Sequence, residues 1–121
     1  MNEGVARTSL RIDFPNGFRL GPGKADLLEL VERHGSISAA GAAMDMSYRR
    51  AWMLVDEINR MFREPSVVTR HGGKAGGGAE LTPFGQELLA RYRRMEQATR
   101  STIESDLDCL ASALAASERS G

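Results

Sequence analysis

The last third of the chain carries an apolar stripe that a domain of this size has little room to bury alone. From Pro83 to about Ala116, residues Leu88, Tyr92, Met95, Thr99, Ile103, Leu107, Leu110 and Leu114 recur every three or four positions. That spacing places side chains on one face of an α-helix. Thr82 is suited to cap the helix and Pro83 to occupy its first position. The whole chain has 121 residues, enough for one domain with one small core. A helix this long projects beyond such a core, so its apolar face calls for a partner chain. The alternative is that the helix folds back on its own domain.

The elements before this helix are short. Leu10, Ile12 and Phe14 alternate with Arg11 and Asp13, Pro15-Asn16-Gly17 is a turn, and Phe18 to Leu20 is extended again. This predicts a small hairpin, after which Gly21-Pro22-Gly23 breaks the chain. Lys24 to His34 reads as a helix with Leu27, Leu28, Leu30 and Val31 inward and Gly35 as its stop. Ser36 and Ser38 both offer a cap for a short helix of small residues, about Ala39 to Met44. Its alanines and Gly41 permit a close helix crossing. Asp45-Met46 is a tight turn, and Ser47 caps a third helix from Tyr48 to about Phe62. In that helix Ala51, Val55, Ile58 and Phe62 form the buried face. Arg49, Met53, Asp56 and Arg60 lie opposite, with Arg50 and Glu57 to one side of them and Tyr48 and Trp52 on the other flank. For Trp52, half-burial against the neighbouring helix is favoured over a base contact.

Ser66 to Arg70 and Ala79 to Leu81 read as paired strands. Between them lies a stretch in which Gly72, Gly73, Gly76, Gly77 and Gly78 surround Lys74. It is not a phosphate-binding P-loop: Ala75 stands where a Ser or Thr must follow the lysine, and Val68 where the first glycine belongs. The dinucleotide fingerprint fails too, because these glycines join two strands rather than a strand and a helix. His34, His71 and Cys109 are too scattered for a metal site, and no catalytic constellation assembles, so neither cofactor nor metal is expected. Cys109 reads as a packed or interface thiol, and as the sole cysteine it excludes an internal disulfide. The start of the chain lacks the apolar run of a secretory signal, and no segment is apolar enough to span a membrane. A cytoplasmic, nucleoid-associated protein fits these features.

Net charge is zero but unevenly spread. Residues 47–74 hold six basic and three acidic residues, whereas residues 101–121 hold one basic and four acidic ones. A basic middle suits an anionic partner. The element order predicts a mainly α fold with a small β component, a winged helix-turn-helix with an N-terminal β-hairpin and a long C-terminal dimerisation helix. We expect a single domain over residues 1–121, with residues 10–82 forming the hairpin and winged motif and 83–117 the long helix; the tail Ala116 to Gly121 is expected to fray.

At this point the residues match a known pattern. "GSISAAGAAMDMSYRRAWMLVDEINRMF" followed by "VVTRHGGKAGGGAELTPFGQELL" resembles the N-terminal DNA-binding domain of the ModE family of molybdate-responsive transcriptional regulators. "S-x-S-x-AA" and "LTxxG" are more loosely similar to the helix-turn-helix domain of LysR-type regulators. The likeness is close from about Lys24 to Leu89 and holds in character along the long helix. It implies a homodimer joined by the stripe from Leu88 to Leu114, binding palindromic double-stranded DNA. Residues Ser47, Tyr48, Arg49 and Arg50, with Met53 secondary, would enter the major groove. Arg70, Lys74 and the backbone amides of Gly72, Gly73, Gly76 and Gly77 would meet the phosphate backbone. Full-length members carry a molybdate-binding region after the dimer helix, where this sequence stops, so oxyanion sensing is expected to come from a separate protein or not to occur. The competing expectation is a helix-turn-helix module that modulates another regulator without touching DNA.

Overall fold

The computed structural model describes residues 6–70 and 78–116. Its elements follow the order β1 (Ile12–Asp13), β2 (Arg19–Leu20), α1 (Pro22–His34), α2 (Ile37–Ala43), α3 (Tyr48–Met61), β3 (Val67–Arg70), β4 (Gly78–Leu81) and α4 (Pro83–Ser112). The chain is thus mainly helical, with two small antiparallel sheets and a long last helix.

The β1–β2 hairpin pairs Ile12 with Leu20 and Asp13 with Arg19. Gly17 turns it at φ +93°, a left-handed conformation that glycine adopts without penalty. Asn16 ties the turn to the end of α3, its Nδ2 donating to the Met61 carbonyl at 3.1 Å. Pro22 does not break the chain here; it opens α1, two residues before the expected start, because proline fits the first helical position. Gly35 closes α1 in the left-handed region (φ 71°), donating its N–H to the Val31 carbonyl. Ser36, not Ser38, caps α2, accepting from the Ala39 N–H. The helix therefore begins at Ile37, and Ile37 joins the core.

A seven-residue helix is too short to persist without packing. Here α2 is held by burial of Ile37, Ala40 and Gly41. A Cβ on Gly41 would lie 2.7 Å from the Cβ of Ala51, so α2 and α3 meet at a distance only glycine allows. Asp45 turns the chain between them at φ 61°. Ala51, Val55 and Ile58 line the buried face of α3 as expected, but Met61 completes it rather than Phe62. Phe62 caps the helix half-buried, between Phe14 at 5.6 Å and Phe84 at 5.3 Å. That aromatic cluster joins the first hairpin, the end of α3 and the start of α4.

The β3–β4 hairpin pairs Val67 with Leu81 and Arg70 with Gly78. Its base is fixed to α3 by Asn59: Oδ1 accepts from the backbone N–H of Ser66 (2.8 Å) and of Val67 (2.9 Å), and Nδ2 donates to the Val67 carbonyl (3.0 Å). Thr82 then caps α4, accepting from the Gly85 N–H. The first three turns of α4 pack on the body of the chain through Gly85, Leu88, Leu89 and Tyr92. The Tyr92 hydroxyl donates to the Leu10 carbonyl at 2.6 Å. Arg93 spans to α1, with its guanidinium within 2.8 Å of Asp26 and 2.7 Å of Glu29, and 3.0 Å from Glu96 on α4 itself. Partial burial disfavours that cation, but the hydrogen bonds it donates to Asp26, Glu96 and Glu29 outweigh it and raise its pKa. At the other face of α1, Lys24 donates to Glu57 of α3 at 2.7 Å.

Candidate nucleic-acid interface

Three local features build the exposed end of α3. Ser47 caps it, its hydroxyl accepting from the Arg50 N–H at 3.1 Å. The close α2–α3 crossing fixes where the first turn sits. Burial of Ala51 then turns Tyr48, Arg49 and Arg50 outward, and all three are exposed. The free N–H groups and dipole of a helix start favour a negatively charged partner.

The charges on α3 separate into two groups. Arg60 is matched by Asp56 at 3.1 Å, and Glu57 by Lys24. Among the described residues no ion pair engages Arg49 or Arg50. The uncompensated positive charge of α3 is therefore concentrated in its first turn.

Apolar surface lies beside it. Tyr48 and Met53 are each 59% exposed and Trp52 is 37% exposed. The Tyr48 and Trp52 rings meet edge to face, 6.1 Å between centroids. Trp52 thus keeps over a third of its surface open, while its inner side borders a cleft of about 300 Å³. The start of α2 (Ser36, Ile37, Ser38) and the ends of β3 and β4 away from the hairpin base (Thr69, Arg70, Gly78, Ala79) form the other walls.

Arg70 is placed at the hairpin but is not free: its guanidinium pairs across the strands with the Glu80 carboxylate. The hydrogen bond and then the charge of Glu80 raise the Arg70 pKa, and those of Arg70 lower that of Glu80. The expected contacts at Gly72, Gly73, Lys74, Gly76 and Gly77 lie outside the described residues, as do His71 and the tail after Ala116.

The stripe of α4 divides. Leu88 and Tyr92 are buried in this chain, so the surface open to a second chain begins at Met95, which is 40% exposed. Thr99, Ile103 and Leu107 are half-buried and Leu110 is exposed. Leu114 lies past the helix, which ends at Ser112 rather than near Ala116. Ala6 flanks a second cleft along this part of α4, with Arg100, Glu104 and Leu107. Cys109 is exposed in this chain rather than packed.

No protein-family profile matches the chain. It is, however, 39% identical over 100 residues to the molybdenum transport protein ModE of Azotobacter vinelandii. That alignment takes in 83% of the chain and 36% of the relative. The chain is a homologue of the ModE and Mop proteins. It is also 42% identical over 89 residues to the molybdenum-pterin-binding protein MopB of Rhodobacter capsulatus, covering 74% of the chain and 33% of that protein. To the DNA-binding transcriptional dual regulator ModE of Escherichia coli it is 36% identical over 91 residues, 74% of the chain and 35% of that protein. The chain thus spans about a third of the length of these curated relatives.

Proposed function

We infer that this chain is a winged helix-turn-helix protein that binds duplex DNA sequence-specifically as a homodimer and regulates transcription. The observation that carries the reading is the first turn of α3, where capped backbone and two guanidinium groups with no ion pair among the described residues, Arg49 and Arg50, are presented outward on a helix locked against α2. A second helix so exposed fits the major groove, where a bidentate arginine reads guanine. The β3–β4 hairpin is then the wing, and Lys74 and the amides of its glycines meet backbone phosphates. A relative named a DNA-binding transcriptional dual regulator supports the same reading. Met95, Thr99, Ile103, Leu107 and Leu110 on α4 supply the dimer seam.

Selection of bound sites from random duplex DNA with the purified chain tests this. The expected product is a palindrome whose half-sites are separated by whole helical turns. Replacing Arg49 and Arg50 by alanine together abolishes preference for that site. Lys74→Ala weakens binding to all sequences alike and lowers the salt slope by about one unit. Absence of retardation even at low salt, with co-purification of a protein partner, would show an interaction module instead.

A further inference from the structure

We propose that the Tyr48–Trp52 edge of α3, together with Met53, reads the 5-methyl groups of thymines in the major groove. This rests on α3 being the groove-entering helix and adds what kind of base it selects. The helix exposes three large apolar side chains next to Arg49 and Arg50, its two exposed first-turn arginines. At about 100° per residue, Tyr48 and Trp52 fall side by side, Arg49 follows, and Met53 lies just beyond it. The outward face of the first two turns is therefore a cationic centre bracketed by apolar groups.

That combination matches one surface in particular. A duplex offers a polyanionic rim, which suits the arginines. The apolar feature on the base edges of its major groove is the thymine methyl. The edge-to-face contact at 6.1 Å holds Tyr48 and Trp52 against each other before any partner arrives, so little rotamer freedom is lost on contact. Behind Trp52 the cleft runs toward Thr69 and Ala79, and its wall at Ile37 is apolar. A methyl presented from the groove floor meets the outward, exposed edge of the ring. Guanine read by Arg49 and thymine read by Trp52 are then neighbours in one half-site.

The test uses the site selected by the intact protein. Each thymine is replaced singly by deoxyuridine, which removes the methyl and leaves every hydrogen-bonding group in place. At one or two positions per half-site, affinity is expected to fall about four-fold, the worth of one buried methyl. Trp52→Ala should bind the thymine and deoxyuridine sites equally at a position it reads. Trp52→Leu, which preserves an apolar contact, should retain part of the difference, and circular dichroism melts of both variants establish that they fold. Tolerance of deoxyuridine at every thymine overturns the inference, as does a full methyl preference in a folded Trp52→Ala protein. A selected site without thymine also overturns it while leaving DNA binding intact. Failure to select any DNA sinks the functional reading itself, and this inference with it.

Discussion

Replacing Asn59 by leucine tests how the β3–β4 hairpin is attached to the helices. One side chain completes three backbone hydrogen bonds of 2.8 to 3.0 Å, two to N–H groups and one to a carbonyl. Ser66 and Val67, which carry those groups, are 0% and 3% exposed, so water is not at hand to replace the amide. At about 1 kcal/mol for each bond removed, Asn59→Leu costs about 3 kcal/mol. Unpaired buried groups can raise that figure. For a chain of this size about 4 °C is lost per kcal/mol, so the melting temperature should fall by about 12 °C. Asn59→Asp provides a graded comparison. Its carboxylate keeps both N–H partners but faces the Val67 carbonyl without a donor, so a loss of about 1 kcal/mol is expected. Calorimetry gives the two temperatures, and amide hydrogen exchange at Ser66 and Val67 reports the same bonds directly. If Asn59→Leu melts within about 3 °C of the wild type, less than one bond's worth, the amide is not the clamp. Should Asp prove worse than Leu, repulsion between its carboxylate and the Val67 carbonyl, with the cost of burying the charge, outweighs the two N–H bonds it keeps.

Other perturbations address the remaining joints. Arg93→Met leaves Asp26, Glu29 and Glu96 facing one another without their cation, and should lower stability by about 1–2 kcal/mol in urea unfolding. Part of that loss should be recovered in high salt. Gly85→Ala pushes a Cβ into the Ser66 carbonyl. Although alanine gains about 1 kcal/mol of helix propensity, a net destabilisation of about 2 kcal/mol is expected by thermal melting. Burial, then the charge of Glu96, raises the pKa of the Tyr92 phenol above 10.0, its ordinary value. The unfolded chain therefore gives up this proton first. The contribution is complete below pH 10 and is lost as pH climbs through the raised folded value. Stability measured from pH 9 to 12 should decline more steeply in the wild type than in Tyr92→Phe, whose start is lower because the bond to Leu10 is gone. Equal slopes would show that another group carries the alkaline loss.

Helix order and most boundaries were legible because their determinants are local. Ser47 and Thr82 act within three residues of themselves, and Gly35 ends α1 by its own backbone conformation. Small residues from Ala39 to Ala43 foretold the close crossing, which Gly41 and Ala51 bear out. The boundary errors have local causes as well: Ser36 and Ser38 compete as caps, and Pro22 serves equally as breaker or helix start. What the pattern concealed is non-local. Arg93 finds Asp26 and Glu29 across 67 and 64 residues, and Lys24 finds Glu57 across 33. Periodicity marks all of these as surface residues and does not name partners. For the same reason the stripe on α4 read as one continuous seam, although Leu88 and Tyr92 are covered by their own chain. Trp52 divides its surface between a cleft and solvent, a compromise that a choice between buried and exposed does not contain.

Among the described residues Arg93 is the last of α4 that pairs with α1. Beyond it about 19 residues run to Ser112, a reach of about 28 Å at 1.5 Å per residue. The contacts of α4 with α1 therefore lie near one end of a long rod. A tilt of about 10° at the Arg93 contacts, too small to break helical hydrogen bonding, carries the far tip by about 5 Å, close to one helical pitch. Arg93 joins α4 to Asp26 and Glu29 of α1, the helix whose Lys24 holds Glu57 of α3. A chain of ion pairs thus runs from α4 through α1 to α3, the helix whose first turn carries Arg49 and Arg50.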